Sequence, residues 1–145
     1  PSHLAFTKDS KTVLVSLQVS GELAAIDLAT QTLKWKMKAG KVPAGLWLTP
    51  GDKYVLIGMT GADYVAVVDW RNQQVVKTIP TGKGAHNFRS PADGTHLAVT
   101  NRVANTTSIL DEKALTNVGD ITGLLRGPAD LELSADRKTL LVAVR

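Results

Sequence analysis

Few side chains in this sequence have the type and placement to do chemistry, and the histidines come first. His86 lies in Gly82-Lys83-Gly84-Ala85-His86-Asn87, after a run of small residues, and His3 lies in Pro1-Ser2-His3-Leu4. An imidazole at either position could ligate haem iron or copper, or act as general base or acid near neutral pH. The third histidine, His96, sits in the alternating segment Thr95-His96-Leu97-Ala98-Val99 and reads as a partly exposed strand residue. Cysteine is absent, which excludes disulfides, thiolate metal sites and cysteine nucleophiles and fits an oxidising compartment as well as the cytosol.

A second set is cationic. Lys41, Lys83 and Arg126 each lie beside glycine, at Gly40, Gly82 and Gly127. Cations at one level could draw carboxylates, phosphates or an acidic protein face, and glycine lets a ligand approach backbone N–H groups. The plainer alternative is a solvated loop charge. The net charge of +4 is modest and its residues are interspersed, so it does not call for nucleic acid. Trp35, Trp47 and Trp70 lie on different segments and form no stacking platform. No phosphate-binding glycine loop, HExxH, CxxCH or GxSxG pattern is present. No apolar run approaches the roughly 18 residues of a membrane helix, so no membrane insertion is expected.

The elements that position these residues follow from a repeat. The segments PSHLAFTKDSKTVLV, PAGLWLTPGDKYVLI, AHNFRSPADGTHLAV and PADLELSADRKTLLV begin at Pro1, Pro43, Ala85 and Pro128, spacings of 42, 42 and 43. A second marker keeps the same period at Asp27, Asp69 and Asp111. Inside each copy, short branched-residue runs such as Thr12-Val13-Leu14-Val15 and Tyr54-Val55-Leu56-Ile57 alternate with tight turns such as TPGDK and PADGT. The repeated aspartates are expected to cap the turn into the fourth strand. Four strands in about 42 residues is the unit of a β-propeller blade. The chain therefore reads as all-β, a propeller of four-stranded antiparallel blades at 1–42, 43–84, 85–127 and an incomplete 128–145. Lysines alternating through Leu33-Lys34-Trp35-Lys36-Met37-Lys38 suit an outermost strand, where they guard an open edge. About three and a half blades cannot close a ring, so further sequence or a second copy must supply the rest; the first is the favoured expectation.

Ala85-His86-Asn87-Phe88-Arg89-Ser90-Pro91-Ala92-Asp93-Gly94 and Ala98-Val99-Thr100-Asn101 resemble the blades of YVTN-repeat (YncE-like) bacterial β-propellers, as does Pro43-Ala44-Gly45-Leu46-Trp47-Leu48-Thr49-Pro50. The likeness runs along the whole chain, departs from the namesake tetrapeptide at Ala98, and rests on motifs that specify a blade. It implies kinship with cytochrome d1-haem propellers and amine-dehydrogenase subunits, a seven-bladed ring, and a periplasmic or secreted bacterial protein. It also implies ligand binding at the channel mouth, where strand one begins and the loop between strands two and three opens.

That mouth gathers the candidates: His86, His3, Lys41, Lys83, Arg126, and Asn101 and Arg102 at the end of a second strand, with Asp63 in the equivalent loop. In the ungapped register His86 is equivalent to Ser2, Ala44 and Ala129, and His3 to Gly45, Asn87 and Asp130. A one-residue slide would put both histidines in one column. Arg89 and Glu132 are equivalent positions in adjacent blades and are expected to pair across the blade junction or to reach channel water, because burying either charge alone is costly. The expected function is a non-catalytic binding or scaffold propeller for a small anionic ligand or protein partner. The alternative is a redox propeller in which His86 or His3 serves a d1-type haem, copper or a quinone-linked partner.

Overall fold

Branched and small apolar residues at every second position give strands with two usable faces, and the chain folds as a succession of them. The computed structural model describes residues 1–123 and 126–145. Its first sheet holds β1 (Leu4–Phe6), β2 (Thr12–Leu17), β3 (Glu22–Asp27) and β4 (Thr32–Lys38) in that order. The second holds β5 (Pro43–Leu48), β6 (Val55–Met59), β7 (Tyr64–Asp69) and β8 (Gln74–Pro80). β9 (Ala85–Arg89), β10 (His96–Asn101), β11 (Thr106–Asp111) and β12 (Thr116–Ile121) form the third, and β13 (Pro128–Leu133) pairs with β14 (Leu140–Val144) in a two-stranded fourth. Every pairing is antiparallel. These are the meandering blades read from the repeat.

The alternation decides how blades stack. In β6, Val55, Ile57 and Met59 pack with Leu14, Leu23 and Ala25 of the first blade, while Leu56 faces the third. In β7, Ala66 and Val68 face the first blade, and Val65 and Val67 meet Leu97, Val99 and Leu110 of the third. The middle blade is thus buried on both faces, as a period of two requires of a strand between two neighbours. A polar staple reinforces the stack: Trp47 Nε1 of the second blade donates to the buried Glu112 carboxylate of the third (2.9 Å). Within the second blade, Trp70 Nε1 donates to the Asp52 carbonyl (2.9 Å) of the turn Pro50–Asp52.

The repeated aspartates do what their spacing suggested. Asp27 Oδ1 accepts from the N–H groups of Ala29 and Thr30 (both 2.9 Å), and Asp111 Oδ1 does the same for Lys113 and Ala114 (both 2.9 Å). Asp69 accepts from the side chain and backbone of Asn72 (2.8 and 3.1 Å). These donated hydrogens hold all three carboxyls below the ordinary carboxylate range. At the outer edge, Lys36 and Lys38 of β4 reach back to Glu22 (4.0 and 3.7 Å), leaving charge along the unpaired strand. Among the described residues no helix is long and apolar enough to cross a membrane.

Candidate functional site

The site begins with a local irregularity common to the inner strands. Opposite Gly58, β5 places two residues, Ala44 and Gly45; opposite Thr100, β9 places His86 and Asn87. β13 has an extra residue at Ala129, between the pairs Pro128–Val144 and Asp130–Ala143. The first blade repeats the pattern, with Ser2 N–H bonded to the Ser16 carbonyl and Ser16 N–H to the His3 carbonyl (2.9 and 3.0 Å). Such bulges re-aim side chains. Here they fall at one level, near the start of each innermost strand.

A hydroxyl on strand two fixes the bulges of the first and third blades. Ser16 Oγ accepts from His3 N–H (3.0 Å), and Thr100 Oγ1 accepts from Asn87 N–H (3.1 Å). His3 is therefore equivalent to Asn87, and the ungapped register is the one the chain adopts. His3 and His86 still meet: their rings lie 5.1 Å apart between centroids at 85°, edge to face. The blade between them contributes only the small residues Ala44 and Gly45 at this level.

His86 is half-buried, and its Nδ1 lies 2.9 Å from the Ala129 carbonyl of the next blade. A carbonyl only accepts, so Nδ1 carries the proton and Nε2 of the neutral ring is left as an acceptor. Burial pushes the His86 pKa down, and the charges of Arg102, His3 and Arg145 push the same way against the Ala129 bond. Burial also lowers His3, opposed by Asp130. Both imidazoles are held toward their neutral forms.

Arg102 and Arg145 occupy the same place in adjacent blades, just past strand two. Arg102 N–H donates to the Gly84 carbonyl (2.9 Å), and Arg145 N–H donates to the Arg126 carbonyl (3.3 Å). Arg145 was not among the expected site residues. Adding the 43-residue offset between the third and fourth repeats to Arg102 would have found it. The Ala129 carbonyl leaves no such trace, since a backbone oxygen is aimed by the bulge and not by residue type.

The other candidates are dispersed. Lys41 and Lys83 are exposed and share a cleft of ≈ 460 Å³ with Asp63 and Tyr64; Arg126 is exposed at the next junction and does not line that cleft. Asn101 is fully buried, not on the rim. With its amide oriented to pair with Gly82, its oxygen accepts from Gly82 N–H and Thr106 Oγ1 (3.3 and 2.9 Å) and its nitrogen donates to the Gly82 carbonyl (3.2 Å). It ties the interblade loop to strand two. His96 is exposed, with Nδ1 2.6 Å from the Asp93 carboxylate, which also caps the backbone of Thr95 and His96.

Deeper in the channel a cavity of ≈ 230 Å³ is lined by His3, Trp47, Asn87, Arg89 and Asp130, among others. Arg89 pairs with Glu132 across the blade junction (3.1 Å) and donates from Nε to the Leu131 carbonyl (3.0 Å). Asn87 Nδ2 donates to Asp130 (3.2 Å). Among the described residues no three His, Cys, Asp or Glu side chains come close enough to hold a metal ion.

Comparison with known proteins agrees with this architecture. The profile of the YncE-like beta-propellers matches residues 1–145. No curated protein matches the sequence. Among solved structures, Kuenenia stuttgartiensis hydrazine synthase is similar at 25% identity and TM-score 0.88, covering 99% of this chain and 42% of that one. Dihydro-haem d1 dehydrogenase NirN, in complex with DHE, is similar at 17% identity and TM-score 0.76, covering 97% of this chain and 32% of that one. The chain thus spans less than half the length of either structure.

Proposed function

Because this chain belongs to the YncE-like β-propeller family, we propose that it is a binding module that takes a small anionic ligand at the channel mouth around His86. One observation carries the reading: His86 donates Nδ1–H to the Ala129 carbonyl at 2.9 Å and feels the charges of both Arg102 and Arg145. Positive charge that disfavours protonation of a half-buried imidazole favours an anion and disfavours a metal cation. The test is calorimetric titration of the full-length protein with inorganic phosphate at low ionic strength. Saturable binding that weakens with salt and is lost in Arg102→Gln supports the reading. Absence of binding, or binding unchanged by Arg102→Gln and Arg145→Gln together, overturns it.

A redox reading has the same nitrogen in its favour. His86 Nε2 is uncommitted at a channel mouth, and NirN, whose matched structure holds DHE, shares the fold. Stoichiometric haem or copper in the purified protein, by absorption and metal analysis, would carry this reading over the first. We further propose that additional blades complete a seven-bladed ring and that the protein works in the bacterial periplasm or outside the cell. Family resemblance supports both.

A further inference from the structure

We propose that the ligand of the His86 site is an anion that also carries an O–H donor, a hydrogenphosphate or a hydroxy acid, and that His86 Nε2 accepts from that hydroxyl. This rests on the anion-binding reading and narrows it by the direction of one hydrogen bond. The Ala129 carbonyl fixes His86 Nδ1 as a donor (2.9 Å), and Thr100 Oγ1, 3.3 Å from the same oxygen, helps hold that carbonyl in place. The ring cannot turn over without breaking this bond, and His3 stands edge-on beside it at 5.1 Å. Nε2 therefore offers a lone pair and no hydrogen.

An anion made only of acceptors, such as sulfate or an ionised simple carboxylate, would set its own lone pairs against Nε2. Hydrogenphosphate and α-hydroxy acids present both features: an O–H for His86 and negative oxygens for the arginines. Arg102, beyond β10, and Arg145, beyond β14, supply the charge, while the charge of Asp130 of β13 acts on His3. Sites that hydrogen-bond a ligand hydroxyl reject the analogue lacking it, because a buried polar group is left unpaired. His86 is only half-buried, so the expected discrimination is about tenfold, well short of the 10⁴ or more of a sealed site.

The experiment is a pair of matched titrations of the full-length protein near pH 7.5, inorganic phosphate against sulfate and glycolate against acetate. Phosphate and glycolate should bind at least about tenfold tighter than their partners. As pH falls and Nε2 takes a proton, the ring becomes a donor on both sides, and sulfate should gain on phosphate. In His86→Gln, whose amide can turn either group to the ligand, the selectivity should collapse while both anions still bind. Equal binding of phosphate and sulfate by the unmodified protein overturns this inference and leaves the anion site standing. Binding of none of the four overturns both.

Discussion

Gly45 and His86 meet backbone against backbone. A β-carbon at position 45 would run into the His86 carbonyl oxygen and lie 2.9 Å from Asn87 Oδ1, closer than carbon and oxygen can approach. A β-carbon at Gly58, opposite Gly45 on strand two, would lie 2.7 Å from the same oxygen. Two glycines of the middle blade thus seat the peptide of His86. The rings of His3 and His86 lie 5.1 Å apart between centroids at the same level.

Gly45→Ala should therefore destabilise the protein by about 1–3 kcal/mol, as overpacking does, and weaken phosphate binding beyond that loss. Gly119→Ala is the control. Nothing lies within 4 Å of its added β-carbon, so its denaturation midpoint should stay within about 0.5 kcal/mol of the parent. Urea melts of both variants with calorimetry on phosphate check the pair; equal stability in both would remove the seating role of Gly45.

The histidines set a pH dependence. Burial first, then neighbouring charge, lowers His86 from its ordinary 6.5, and burial lowers His3. The unfolded chain binds these protons at about pH 6.5 while the folded chain does so only at lower pH. Stability should be full above about pH 6.5, decline as pH falls from there, and level off below the folded values. Melting temperatures across this range should show the slope, and His3→Gln with His86→Gln should flatten it. A parent whose stability is flat or rises from pH 6.5 to 5 would speak against burial of neutral rings.

Arg89 and Glu132 should be unequal partners. The pair is partly solvated, with side chains 40% and 62% exposed, so its ion pairing contributes about 0–1 kcal/mol. Arg89 alone also donates to the Leu131 carbonyl. Arg89→Ala should cost about 1 kcal/mol more than Glu132→Gln, since it frees that carbonyl as well. Thermal melts that rank the two the other way would place the stabilisation in the charge pair.

Asn101→Ala should lower stability by about 2 kcal/mol, because it strips partners from buried polar groups of Gly82 and opens a small void. The loss should appear in chemical denaturation with the ligand absent. A variant that melts like the parent yet fails to bind phosphate would return Asn101 to the ligand site.

The blades were legible in the sequence because each reuses one pattern: Asp27, Asp69 and Asp111 cap one turn, and Val55-Leu56-Ile57 alternates between two neighbours. The Arg89–Glu132 pair was legible for the same reason, as equivalent positions in adjacent blades. The site was only partly so. His3 and His86 could be sent to one mouth, but the seating of the His86 peptide depends on the absent side chain at Gly45, and the tautomer of His86 depends on the backbone oxygen of Ala129. Asn101 shows the converse. Its column gave its level in the blade but not its direction, and the close approach of Gly82 turned it inward.

The most direct measurement is the ¹⁵N spectrum of the His86 ring in the full-length protein, assigned by comparison with His86→Gln and followed through a pH titration. At neutral pH Nδ1 should carry the proton and Nε2 should be bare, with a titration midpoint below 6.5 that falls no further when Arg102→Gln removes a neighbouring charge, and instead rises. A proton on Nε2 at neutral pH, or a midpoint at or above 6.5, would contradict an acceptor imidazole held neutral among cations.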